Sequence, residues 1–116
     1  METELLESLG RTGWTVHVFG QRQQPIALAA VKPRTNTADV VIIRGHDRVA
    51  AFRTPETSRP LQAQHVVWHY LGAADTTLDA LMTLTDDAEY GHPYPIPTEC
   101  QIHELDIRPY TIRPPR

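Results

Sequence analysis

Residues 14–54 read WTVHVFGQRQQPIALAAVKPRTNTADVVIIRGHDRVAAFRT and contain four apolar runs separated by turn residues. The runs occupy 14–19, 26–31, 40–43 and 49–52. Each has the length of a strand rather than of a helix. The first run alternates apolar and polar residues, as half-buried strands do, and the third is apolar on both faces, as central strands are. This stretch predicts an antiparallel β-meander.

The turn between the third and fourth runs has two possible registers. A two-residue loop at 45–46 puts a glycine first, as a type II′ turn requires, and sets Arg44 opposite Asp47. A loop one residue longer sets Asp39 opposite Arg53 instead. We expect the two-residue loop, because the longer one needs a left-handed residue at Asp47 rather than at a glycine.

Beyond Pro55 the apolar spacing becomes helical. Apolar residues recur at i, i+3, i+4, i+7 and i+8 through 63–71, and Gly72 is a typical residue to end a helix. A strand over 66–71 is the alternative, because this piece is rich in β-branched and aromatic side chains. We expect the helix on the longer periodicity.

A second helix is predicted to begin at Asp75, a favourable N-cap residue. Its inward-facing residues would be Leu78, Leu81 and Met82. Prolines at 93, 95 and 97 exclude helix from the following segment and predict an extended arm that wraps over its own domain or over a neighbouring subunit.

These patterns together predict a single α+β domain over 1–116. We expect an antiparallel four- to five-stranded β-meander with two helices packed on one face and a proline-rich C-terminal arm. The predicted parts are an N-terminal helix and turn at 1–12, the meander at 13–54, a helical segment at 58–86 and the arm at 91–116. The chain length of 116 residues suits one domain.

Composition narrows the class of protein. The chain is 41% hydrophobic and 22% charged, which is typical of a globular domain. Its net charge of −3 argues against nucleic acid as the main partner, because DNA-binding domains are usually basic. No apolar stretch approaches the about 20 residues that span a bilayer, and 1–10 lacks the pattern of a signal peptide. Because Cys100 is the only cysteine, we expect no internal disulfide and a cytoplasmic location.

Two short motifs offer ligands for a metal ion. On a helix, His65 and His69 would lie on one side at i, i+4 spacing, and Cys100 and His103 are three residues apart. Together they would provide the one sulfur and three nitrogens of a tetrahedral zinc site. The alternative is two solvated histidines and a free buried cysteine, because such a match is weak without structural context. Zinc is therefore the candidate cofactor if these four residues bind a metal ion.

One face of the predicted meander points to a partner. It carries Ala27 and Ala29, whose small side chains allow another layer to approach closely. Two short helices cover one face of such a sheet but not both, and exposed apolar patches usually mark an interaction site. We predict that Ala27, Ala29, Tyr94 and Ile96 bind a protein partner and that the chain forms a homo-oligomer, since two-fold dimers are the commonest assemblies.

Signatures of common enzymes are absent from the sequence. It contains no GxGxxG, GxxxxGK[ST] or GxSxG motif. His46-Asp47 could form an acid–base pair, but a polar turn explains these residues as well. Our leading hypothesis is a non-enzymatic interaction module that self-associates and binds a protein partner. The second is a metal-binding or small-ligand-binding protein that uses His65, His69, Cys100 and His103.

Overall fold

An antiparallel sheet forms the centre of the computed structural model, which describes residues 13–20, 25–85, 90–102 and 110–112. The strands are β1 (Thr15–Gly20), β2 (Pro25–Pro33), β3 (Ala38–Gly45), β4 (Arg48–Thr54), β5 (His65–Val66), β6 (Trp68–Gly72), β7 (Tyr94–Pro95) and β8 (Tyr110–Ile112). One helix, α1 (Ala74–Met82), and two 3-10 turns, Pro60–Gln62 and Thr98–Cys100, complete the described elements. The main sheet has the order β6-β4-β3-β2-β1-β8, and β5 and β7 form a separate pair. Every pairing is antiparallel, so the predicted α+β class and antiparallel sheet are confirmed.

The predicted meander is β1 to β4, in which each strand lies beside the next one along the chain. Its side chains alternate between two faces. The helix face is the one against which α1 packs, chiefly at β4 and β6. It carries Val16, Val18, Leu28, Ala30, Val41, Ile43, Val49 and Ala51. The opposite face carries Phe19, Ala27, Ala29, Val31, Val40, Ile42, Ala50 and Phe52.

The opposite face is covered by the chain itself. Residues 94–102, which we call the strap, place Ile96, Cys100 and Ile102 on it, and we call this side of the sheet the strap face. Ala63 and Val66 complete the same core. The proline-rich arm therefore wraps over its own domain along this part of its length.

The expected two-residue loop at 45–46 is wrong. The turn residues are His46 and Asp47, and a shift of register between Ile43 and Gly45 accommodates one extra residue in β3. Asp39 consequently pairs with Arg53 across the hairpin. This register brings two opposite charges together on the helix face, whereas the alternative would have set Asp39 opposite an apolar residue.

The first of the two predicted helices, over 60–71, is also wrong. That segment forms a 3-10 turn, strand β5 and edge strand β6, and only α1 is helical among the described residues. Residue Val67 separates β5 from β6, and its N–H donates to the carbonyl of Arg53 on β4 at 2.8 Å. The N-terminal helix predicted for 1–12 lies outside the described residues. None of the described helices is long and apolar enough to cross a membrane.

A buried ion pair joins the two central hairpin strands. The side chains of Asp39 and Arg53 are both 0% exposed. Arg53 Nε donates to Asp39 Oδ1 at 2.6 Å and Nη2 donates to Oδ2 at 2.9 Å, which is the bidentate geometry that strengthens such pairs. Arg34 Nε donates a further hydrogen bond to Oδ2 at 3.0 Å. The hydrogen bond from Arg53 to Asp39 is the main reason why the pKa of Arg53 is raised.

The same guanidinium holds the segment that follows α1. Its Nη1 donates to the Thr85 carbonyl at 2.6 Å and to the Tyr90 hydroxyl at 2.9 Å. The Tyr90 ring also lies 5.7 Å from the guanidinium carbon, within the range of a cation–π contact. Arg53 thus links the sheet, the carboxylate of β3 and the chain beyond the helix.

The Asp39→Ala variant should lose about 3–5 kcal/mol of unfolding free energy, because it leaves the Arg53 charge buried without its counter-ion. Urea unfolding followed by tryptophan fluorescence measures this loss. Asp47→Ala is the matched control, since its exposed turn carboxylate should contribute within about 0.5 kcal/mol. Asp39→Ala combined with Arg53→Met should regain part of the loss, since no unpaired charge remains. Equal unfolding free energies for Asp39→Ala and Asp47→Ala would contradict this account.

Candidate interaction surface

Strand β6 is an edge of the main sheet. It pairs with β4, from Val49 opposite Gly72 to Arg53 opposite Trp68, and no other described strand lies along its outer side. Its sequence, WHYLG, contains no charged residue and no proline. Natural proteins usually protect edge strands with charges, prolines or bulges. This edge is therefore an unusually available site for pairing with another chain.

The two exposed side chains of β6 lie on opposite faces of the sheet. Tyr70 is 39% exposed and Leu71 is 43% exposed. Tyr70 belongs to the helix face, where its ring stacks beside that of Trp68 with a centroid distance of 6.5 Å and an interplanar angle of 18°. An edge with apolar groups on both faces offers contact area on each side of an added strand.

Side chains pack closely around Gly72. A Cβ built there would lie 3.3 Å from Tyr70 Cε1 and 3.3 Å from Thr76 Oγ1. The tyrosine ring therefore leans over the end of β6, towards the start of α1. The aromatic pair and the helix together hold the helix-face side of the edge in place.

On the strap face, a hydrogen bond connects the edge to the strap. His69 Nδ1 and the Tyr94 hydroxyl are 2.7 Å apart, and the two rings meet edge to face with centroids 5.6 Å apart. Burial raises the pKa of Tyr94, so its phenol is neutral at physiological pH. The phenol can therefore donate a hydrogen bond to Nδ1 of His69 in the tautomer that leaves this nitrogen without a hydrogen.

A cleft of about 420 Å³ opens beside Leu71, between the end of β6 and the strap. Its charged and polar lining residues are Arg44, Asp47, Arg48, Thr98, Glu99 and Gln101. Arg44 Nη1 donates to the Glu99 carbonyl at 2.6 Å and Nη2 donates to the Gln101 carbonyl at 3.0 Å. Arg44 therefore acts as a clamp on the strap, while burial and then the neighbouring Arg48 lower its pKa.

The predicted metal ligands are distributed over separate elements. His65 lies on β5 and His69 on β6, so the helix that would have set them side by side is absent. The His65 side chain is 53% exposed with Nδ1 3.8 Å from Glu56 Oε2, whereas His69 bonds Tyr94. Within the described ranges, no three His, Cys, Asp or Glu side chains are grouped to hold a metal ion. His103 lies outside those ranges, and the zinc site stays a prediction.

Cys100 is buried under the clamp of Arg44. Its side chain is 1% exposed, and burial raises the pKa of its thiol to about 12. A thiol in this state reacts slowly, because the thiolate is the nucleophile. The arrangement suits a core residue rather than a reactive one.

The four predicted partner-binding residues occupy the interior and its margin. Ala27 is 3% exposed, Ala29 0% and Ile96 8%, so their side chains pack within the chain's own core. Tyr94 is partly buried and reaches the surface beside His69. Of this set, Tyr94 adjoins the β6 edge.

The residue composition of 66–71 indicated strand β6, but the helical spacing of the apolar residues outweighed it in the prediction. The β-branched and aromatic content of 66–71 favours a strand, which was the alternative to the predicted helix. Nothing local indicates that the strand is an edge, because that depends on the order of strands in the sheet.

No protein-family model matches the chain, and comparisons with curated proteins and with solved structures find no significant match.

Replacing the clamp should expose the buried thiol. Arg44→Ala removes two charge-assisted hydrogen bonds to the strap, and we expect native Cys100 to react with a disulfide reagent faster, by on the order of tenfold or more. The reaction is followed by absorbance near neutral pH, with denatured protein as the reference for full exposure. Arg48→Ala, which removes an exposed neighbouring arginine, should leave the rate unchanged. Equal rates for the two variants would refute the clamp.

Proposed function

We propose that this chain is a protein-interaction module that binds an extended protein segment by strand addition along β6. The supporting observation is the uncharged five-residue edge, whose outer side has no partner among the described strands. In strand addition, main-chain hydrogen bonds supply affinity and alternate side chains supply specificity.

The edge is held in a conformation ready to bind. β4 supports it along its whole length, the strap is joined to it through the His69–Tyr94 hydrogen bond, and α1 packs against its helix-face side. A preorganised edge avoids much of the entropy cost of ordering on binding. The ordered conformation of β6 therefore supports a role in binding, which a frayed strand end would not perform as well.

The two faces of the edge would contact different side chains of the bound segment. On the helix face an apolar or aromatic residue would contact Trp68 and Tyr70, whose rings already stack. On the strap face the neighbouring residue would point over Leu71 into the cleft, where Arg48 and Glu99 are exposed. The expected ligand is an extended segment with aromatic or aliphatic residues and a polar residue near the cleft.

A selection from displayed peptides tests this function. Peptides of about ten residues selected on the immobilised protein, once titrated into isotope-labelled protein, should shift the amide resonances of β6 and slow their hydrogen exchange. A lysine at Tyr70 should weaken this binding about tenfold or more, because it puts a charge at the apolar edge.

Ile26→Lys provides the matched control. Ile26 is 51% exposed on β2, which β3 and β4 separate from β6. The Ile26→Lys variant carries the same added charge at an apolar position far from β6. It should bind the peptides like the wild type. Selected peptides that perturb only other parts of the sheet, or that bind the Tyr70→Lys variant equally well, would overturn the proposed function.

A further inference from the structure

We infer that the segment added at β6 is the β6 strand of a second copy of this chain, paired antiparallel across a two-fold axis at Tyr70. This inference rests on the proposed function and names its partner. In this register Tyr70 faces its own counterpart, Trp68 faces Gly72, and His69 faces Leu71. Residues directly opposite in an antiparallel pair share a face and lie close enough for their side chains to touch.

The side chains of β6 complement one another in this arrangement. The largest residue, Trp68, would lie opposite the residue without a side chain, Gly72. The Tyr70 ring already leans over Gly72, with Cε1 3.3 Å from the position of a Cβ there. The indole of the second copy would therefore meet that tyrosine ring, and the two stacked pairs would join into one cluster of four aromatic rings.

The distribution of charge favours β6 over the other edge for such self-pairing. The five residues of β6 carry no charged residue, so two copies meet there without like-charge repulsion. Strand β8 is flanked in the sequence by Arg108 and Arg113, so charged residues adjoin this edge along the chain. The uncharged edge, β6, is thus the better suited of the two to pair with its own copy.

The small size of the contact sets the strength of the dimer. A standard stable interface involves about 20–30 residues a side, and five edge residues with their neighbours fall below that size. We therefore expect a dimer in rapid exchange, with a dissociation constant in the micromolar range or weaker.

Sedimentation velocity over a range of protein concentrations tests the inference. The apparent mass of the wild type should rise above 13.1 kDa towards twice that value as concentration increases from about 1 µM to about 500 µM. Tyr70→Lys should stay monomeric with an unchanged circular dichroism spectrum, and Ile26→Lys should dimerise like the wild type. A wild type that stays monomeric throughout, or a Tyr70→Lys variant that dimerises equally, would overturn the inference.

Disulfide trapping tests the register. Tyr70→Cys should form a disulfide-linked dimer under mild oxidation, because the two introduced sulfurs meet at the axis, and the buried Cys100 of the wild type should not. A mixture of His69→Cys with Leu71→Cys should cross-link between the two variants faster than either does alone. Failure of Tyr70→Cys to cross-link, or equal cross-linking by Met82→Cys on α1, would refute the pairing. If the wild type is monomeric but peptides still bind β6, this inference fails and the proposed function stands; if neither occurs, both fail.

Discussion

The bidentate contact between Asp39 and Arg53 is the interaction on which the arrangement of this chain depends. It sets the register of the central hairpin and therefore decides which apolar residues face α1 and which face the strap. Through the same guanidinium it fixes the Thr85 carbonyl and the Tyr90 hydroxyl, so these two residues are tied to the sheet. The last turn of α1 has no basic residue of its own. Arg53 places a positive charge near that end of the helix, where the helix dipole favours one.

With both faces of the sheet buried, its edges are where another chain can pair. The strap fills the small-residue face with Ile96, Cys100 and Ile102, and α1 covers part of the other. Tyr70 and Leu71 are among the few large apolar side chains that stay substantially exposed in the described chain, and they are neighbours on β6. Exposure, lack of charge and an outer side without a partner among the described strands thus coincide in β6. The strap face with Ala27 and Ala29, which the sequence indicated as an interaction surface, is part of the interior.

The parts of the fold that depend on local periodicity were predictable, and the parts that depend on distant contacts were not. Alternation along 14–19 and the apolar run at 40–43 give strands in any reasonable fold, and the structure confirms the antiparallel sheet. The hairpin register was missed because local turn chemistry favoured a loop at 45–46, whereas the side chains of Asp39 and Arg53 determine it from the far ends of β3 and β4. The segment 63–71 fits helical spacing by coincidence, since the interruption at Val67 breaks the strand alternation that would have identified it. For the same reason the i, i+4 argument for His65 and His69 lost its basis, and the edge position of β6 could not be read from any single segment.

The contrast between the two edges of the sheet bears on how far an assembly can grow. A sheet with two receptive edges extends without limit, as in a fibril, because each added copy presents a fresh edge. Here one edge is uncharged and the other lies between Arg108 and Arg113. In the proposed dimer, two copies joined at β6 leave only their β8 edges, which arginines flank in the sequence. Charge at β8 would thereby let this chain keep an adhesive strand at β6 without polymerising.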